Sequence, residues 1–221
     1  MSTKTVTLIG ATGLIGHHLL LLLLDDPLID TVRILIRRPI DLQHPKLEKK
    51  IVDFNDADSL LVAIDNSDIV FCTIGTTQRK VKGNKNAFRK VDYDIPVNAA
   101  RFCKITGCEK FIFVSSVGAN HKSNNFYLNL KGEVEDTVES AGISSVHIMR
   151  PSLLLDDRKE SRPLEKIGKK IMAGISFLLA SKYKPIHGKF VAKAMLEASK
   201  KKETGNFVYE FREMIELNKL S

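Results

Sequence analysis

The sequence predicts an α/β protein: a doubly wound parallel sheet in three layers, αβα, closed by a small C-terminal cap segment. Two observations predict it. Short, almost continuously apolar β-rich runs alternate with stretches of helical periodicity, as βαβ units with strands buried on both faces require. The first run also passes directly into a glycine turn and a helix start, Val6-Thr7-Leu8-Ile9-Gly10-Ala11-Thr12-Gly13-Leu14-Ile15-Gly16.

In chain order, strands are expected at Val6–Ile9, Val32–Ile36, Lys50–Phe54, Asp68–Ile74, Lys110–Ser115 and Ser145–Met149. Helices fall between them at Leu14–Leu24, Asp56–Ile64, Ala87–Lys104 and Asn124–Ser140. In the third, Val91, Ile95, Asn98, Ala99 and Phe102 recur at helical spacing, with Pro96 a point of bending. Beyond the sixth strand come an irregular loop, helices at Leu164–Leu179 and Lys189–Lys201, and a late strand, Asn206–Phe211. A chain of 221 residues has room for one sizeable domain. Residues 1–151 are therefore read as its nucleotide-binding core, and 152–221 as a substrate-side cap on the carboxyl edge of the sheet.

Composition narrows the function classes. With 43% hydrophobic and 27% charged residues the chain reads as an ordinary globular protein, and its longest apolar run, Leu19 to Leu24, is too short to span a bilayer. No charged leader with a cleavage site precedes the first motif, so a cytoplasmic location is expected. Three cysteines, Cys72, Cys103 and Cys108, without paired spacing fit a reducing compartment, with Cys72 a buried small hydrophobe. The net charge of +8 is spread along the chain, with thickenings at Arg79 to Lys90 and Lys200 to Lys202. No zinc-finger or RNA-binding signature accompanies it, so nucleic acid is not the expected partner. The six histidines have no metal-ligand spacing, and no metal site is expected.

The glycine turn points to a dinucleotide. Gly10 permits the tight turn, Gly13 lets backbone approach a pyrophosphate, and Gly16 lets the helix pack closely on the sheet. The free N–H groups of the helix start then face the anion. The end of the second strand selects between the two nicotinamide cofactors. An acidic residue there would favour NAD(H); this chain has Arg37-Arg38, whose guanidinium forks match a 2′-phosphate, so NADP(H) is favoured. By position, Asp53-Phe54 is expected to meet the adenine, and Ile74-Gly75 to line the cofactor across the switch point of the sheet.

Tyr127 and Lys131 are spaced to share one face of a helix, downstream of the fifth strand end Phe113-Val114-Ser115-Ser116. Hydride delivery to a carbonyl needs a proton donor at the developing alkoxide. A tyrosine serves only where a neighbouring ammonium favours its phenolate, which is the part Lys131 would take while also holding the nicotinamide ribose. Ser116 would hydrogen-bond the substrate oxygen.

Together, Gly10-x-x-Gly13-x-x-Gly16, Arg37-Arg38, Ser115-Ser116, Tyr127-x-x-x-Lys131 and Arg150-Pro151 resemble the atypical short-chain dehydrogenases/reductases of the Rossmann superfamily. Gly75-Thr76-Thr77, Leu130 to Glu135 and Asp157 to Pro163 are similar to the Tat-interactive-protein branch of oxidoreductase-like proteins, and the resemblance runs over nearly the whole chain. It implies Tyr127 as proton donor, Lys131 as its partner and Ser116 as the aligned serine. It further implies backbone contacts from Leu14 and Ile15 to the pyrophosphate, Arg37 and Arg38 on the 2′-phosphate, and Arg158 in a loop closing over the cofactor. One departure stands out: longer relatives often carry asparagine where Asp92 stands. The expected function is NADPH-dependent reduction of a small carbonyl compound. The alternative is a non-catalytic NADPH-sensing regulator or assembly factor that acts through a protein partner, and a homodimer through the helices around the fourth and fifth strands is compatible with either.

Overall fold

The computed structural model describes residues 4–155 and 181–220. Seven strands form one all-parallel sheet: β1 Thr5–Ile9, β2 Thr31–Ile36, β3 Leu47–Ile51, β4 Ile69–Cys72, β5 Lys110–Val114, β6 Ser145–Met149 and β9 Gly205–Tyr209, in the order β3-β2-β1-β4-β5-β6-β9. Between β6 and β9 in sequence, β7 Leu154–Leu155 and β8 Ile186–His187 make a small separate parallel pair. The strand order reverses at β1, which pairs with β2 on one side and β4 on the other, Ile9 lying opposite both Leu35 and Cys72. A crevice opens at the carboxyl end of such a reversal.

Strand alternation divides the core in two. On β5, Phe111 and Phe113 face the cluster built with α2 (Ala57–Ile64), α4 (Ile95–Ile105) and α5 (Phe126–Glu139), while Ile112 faces the opposite cluster. The second cluster holds α1 (Leu14–Asp25), α6 (Gly188–Lys200) and α7 (Phe211–Leu217). The leucine run of α1 shows why it is a helix: Leu19, Leu20, Leu23 and Leu24 are buried, whereas Leu21 stays 49% exposed, so one stripe faces the core.

Three elements depart from the sequence reading. The third strand is Leu47–Ile51, earlier than expected, because as an edge strand it carries Glu48, Lys49 and Lys50 and lacks an apolar run. The expected long third helix is three pieces: α3 (Lys85–Arg89), a π-helical turn (Lys90–Asp94) and α4. Pro96 has no N–H to donate to the Asp92 carbonyl four residues earlier, so the regular ladder breaks there. The described part of the C-terminal segment builds into the layers rather than capping the carboxyl edge: β9 is the seventh strand, and α6 packs along α1. The expected helix Leu164–Leu179 lies outside the described residues. No helix among those residues is long and apolar enough to cross a membrane.

Strand β9 is joined to β6 by a buried polar chain. His147 Nδ1 lies 2.9 Å from the Tyr209 hydroxyl and His147 Nε2 lies 3.0 Å from Ser145 Oγ, which itself donates to the Glu203 carbonyl. Burial, with the charges of Lys110 and Lys201, pushes the His147 imidazole down from 6.5 to about 4. The unfolded chain therefore takes up the proton first as acid is added. Stability supported by neutral His147 is fully present above pH 6.5 and is lost as pH falls towards 4. The shift corresponds to about 3 kcal/mol. Urea midpoints measured across this range should fall in the wild type, and the part of that fall due to this residue should be missing in His147→Phe. An identical pH profile for the two proteins would refute the assignment.

Candidate functional site

The crevice at the β1/β4 reversal is a cavity of about 600 Å³, walled by Gly10, Ala11, Thr12, Gly13, Leu35 to Ile40, Phe54, Thr73, Ile74, Gly75 and Lys80. Its floor is set by backbone constraints. Gly10 has φ +91°, and a Cβ there would come within 2.9 Å of Ile74 N. Gly16 is part of the packing beneath this floor: a Cβ on it would lie 2.1 Å from the Gly10 carbonyl oxygen. The Thr73 hydroxyl donates to the carbonyls of Ile9 and Gly10, tying the ends of β1 and β4 together.

The N-terminus of α1 differs from those of α2 and α5 in having no side-chain cap. Asp56 caps α2 by accepting from Asp58 N, and Asn125 caps α5 by accepting from Tyr127 N and Leu128 N. The N-cap of α1 is Gly13, which has no side chain with which to occupy the first free N–H groups. Opposite it, neither Arg37 nor Arg38 makes an ion pair or hydrogen bond among the described residues, and both are exposed. This donor set fits the phosphates of a dinucleotide. A second cavity of about 320 Å³ shares Arg37 and Phe54 with the first and adds Ile51, Val52, Asp53, Asn55, Lys90, Val91 and Ile95. Asp53 is exposed there, and its Oδ1 accepts from Asn55 N and Nδ2, both at 2.9 Å. Those hydrogen bonds hold the Asp53 carboxyl below its usual range.

Thus Gly10, Thr12, Gly13, Arg37, Arg38, Phe54, Ile74 and Gly75 of the sequence-predicted residues converge on one cavity, and Asp53 on its neighbour. Leu14, Ile15 and Gly16 form the first turn of α1 behind the wall, where Leu14 packs on Gly188 of α6. Arg158 and the stretch Asp157 to Pro163 lie outside the described residues. The sequence reading missed Thr73, and it did not assign Lys80 to the cavity. A hydroxyl directly after an apolar strand, and a basic segment following Gly75-Thr76, were the available signals.

Ser116, Tyr127 and Lys131 are not in the cavity wall, and Lys131 connects to it through Asp92 and the Gly75–Thr76 turn. The Asn125 cap fixes the first turn of α5, and Phe88 packs edge-on against the Tyr127 ring with centroids 6.1 Å apart. One turn on, Lys131 is buried with its Nζ 5.9 Å from the Tyr127 ring centre and 3.0 Å from Asp92 Oδ1. Burial is the largest influence on this ammonium and opposes its charge, but Asp92 and Tyr127 outweigh it and the net shift is upward. Gly132 lets α5 lie against the loop leaving β5, since a Cβ there would sit 2.1 Å from His121 N. Ser116 is half-buried, its hydroxyl 3.4 Å from the Val117 carbonyl; Ser115 Oγ is buried without a partner among the described residues. A half-buried bidentate pair, Arg150 Nε to Glu135 Oε1 at 3.0 Å and Nη2 to Oε2 at 2.5 Å, clamps α5 to the end of β6.

Residues 10–202 match a family of proteins described as NAD(P)H-binding. The chain is 35% identical over 186 residues to Protein HTATIP2 of Rattus norvegicus, covering 83% of this chain and 76% of that one. It is 34% identical over 161 residues to the mitochondrial protein FMP52 of Candida albicans, covering 71% and 70%. Among solved structures, the Bordetella bronchiseptica enzyme WbmH in complex with NAD+ superposes with a TM-score of 0.73 at 18% identity, over 95% of this chain and 76% of that one. MoeE5 in complex with UDP-glucose and NAD superposes at 0.70 and 17% identity, over 99% and 82%.

Proposed function

The chain belongs to the NAD(P)H-binding family, among Tat-interactive-protein-like Rossmann proteins, and we propose that it is an NADP(H)-dependent reductase of a small carbonyl compound. The observation that carries this reading is the enclosed ammonium of Lys131 close to Tyr127. Desolvating an ion costs several kcal/mol before its partner repays it, and this enclosed ammonium is the one placed to favour a Tyr127 phenolate.

Ser116 would donate a hydrogen bond to the substrate oxygen, and Tyr127 would deliver a proton to that oxygen as charge develops on it. Lys131 would favour the phenolate left behind and hold the ribose. The backbone of Gly10 to Ile15 would hold the pyrophosphate, with Asp53 and Phe54 at the adenine and Ile74 and Gly75 along the cofactor's length. NADPH, when bound, supplies the hydride. The parts of residues 152–221 outside β9, α6 and α7 would complete the substrate side, with Arg158 closing over the cofactor.

The test is calorimetric titration of the cofactor-stripped protein with NADPH and, separately, NADH. Micromolar NADPH binding and much weaker NADH binding are expected. Replacing both arginines, Arg37→Ala with Arg38→Ala, should weaken NADPH by about 10- to 100-fold, the worth of a charged hydrogen bond, and leave NADH nearly unchanged. Equal losses for the two cofactors would sink the phosphate role, and no binding of either by the wild type would sink the cofactor assignment. The position of Ser116, Tyr127 and Lys131 off the cavity wall favours one second reading, a non-catalytic NADPH-sensing regulator that acts through a protein partner or a homodimer. NADPH binding with no turnover across a carbonyl screen would select it. The free, buried cysteines accord with a cytoplasmic location; the fungal relatives are named mitochondrial, and cell fractionation decides between the two.

A further inference from the structure

Lys131 and Asp92 form the most enclosed ion pair among the described residues, their side chains 6% and 2% exposed. Lys131 Nζ meets Asp92 Oδ1 at 3.0 Å, and Asp92 Oδ2 accepts a hydrogen bond from Thr76 N at 2.8 Å. Thr76 directly follows Gly75, which is part of the cavity wall, and a Cβ on Gly75 would lie 3.5 Å from Asp92 Oδ1. One carboxylate therefore bridges the turn after β4 and the ammonium on α5. The backbone is shaped for this: Asp92 sits at the centre of the π-helical turn Lys90–Asp94, where Pro96 denies its carbonyl the usual donor. Single π turns inside helices concentrate at functional sites.

We propose that Asp92 is a positioning residue that fixes the Lys131 ammonium to the Gly75–Thr76 turn, so that a dinucleotide bound against this turn meets a lysine already charged and oriented. The inference rests on the cofactor reading above. An asparagine could still accept from Thr76 N, but it would leave a buried cation without a counter-charge. The carboxylate is thus specifically required by the lysine, and only indirectly by the turn.

A double-mutant cycle on the full chain tests this, with NADPH affinity and thermal midpoint measured for Asp92→Asn, Lys131→Met and the pair combined. Asp92→Asn is expected to weaken NADPH about 10-fold when Lys131 is present and less than about 2-fold in the Lys131→Met background. Its thermal midpoint should drop, and part of that drop should be recovered in the double variant, which has no unpaired ammonium. Should Asp92→Asn not fold, Asp92→Glu keeps the charge but displaces it by a methylene, and the same dependence on Lys131 is expected of it. An equal loss of affinity in both backgrounds would mean that Asp92 only anchors the turn, and no loss would mean no role; either overturns the proposal. Failure of the wild type itself to bind NADPH would overturn the cofactor reading first, and this inference with it.

Discussion

Tyr127→Phe is expected to cut carbonyl turnover about 1000-fold, within the range that a positioned proton donor contributes, while the NADPH dissociation constant changes by less than about 3-fold. The fold gives this variant unusual clarity. The Tyr127 hydroxyl makes no hydrogen bond among the described residues, so its removal leaves no protein partner unpaired. The ring survives, and with it the edge contact to Phe88. The first turn of α5 is held by Asn125 through backbone N–H groups that the substitution does not touch. Thermal midpoints should therefore agree closely, and any loss of rate belongs to chemistry rather than folding. The rate is followed by NADPH consumption on a carbonyl that the wild type reduces. An undiminished rate would remove Tyr127 from the proton-donor role, and parallel loss of rate and cofactor affinity would make it a binding residue instead.

What could be read in the residues and what could not divides along physical lines. Strand β6 was expected at Ser145–Met149 and lies there, because Val146, Ile148 and Met149 form a short apolar β-rich run that is buried on both faces of the sheet. Strand β3 has one sheet neighbour and an exposed face, so its Leu-Glu-Lys-Lys-Ile sequence carries no such signal. The same division holds in the site. The glycine turn is legible because its backbone demands particular residues at fixed local spacing, and Arg37-Arg38 because two charges directly after an apolar strand need a reason. The partnership of Asp92 with Lys131 was not legible: it depends on how α4 and α5 pack, and on a π turn whose only local sign is Pro96. Nor does a strand pattern reveal that Thr73 would span from β4 to the carbonyl oxygens of Ile9 and Gly10.

Gly16→Ala and Gly13→Ala should separate folding from cofactor binding at one turn. In Gly16→Ala the added methyl would lie 2.1 Å from the Gly10 carbonyl oxygen and 2.6 Å from Thr73 Oγ1. That oxygen already accepts from Gly13 N at 2.9 Å and from the Thr73 hydroxyl at 3.2 Å. Helix α1 can relieve the overlap only by retreating from β1, which would pull it out of its packing with α6. A loss of about 3 kcal/mol is expected, at the upper end for an overpacked core, together with loss of measurable NADPH binding. Gly13 differs in both respects. Its φ of −76° suits any residue, and its Cβ would lie 3.2 Å from the same oxygen, close enough to need only a slight shift. Gly13→Ala should therefore cost under about 1 kcal/mol of stability. It should still weaken NADPH at least about 10-fold, because on the proposed cofactor reading its methyl would stand where the pyrophosphate approaches the backbone. Urea denaturation and calorimetric titration of both variants measure the two quantities independently. A Gly16→Ala protein as stable as the wild type would show that α1 does not rest on the turn so closely, and full affinity in Gly13→Ala would move the phosphates away from this helix end.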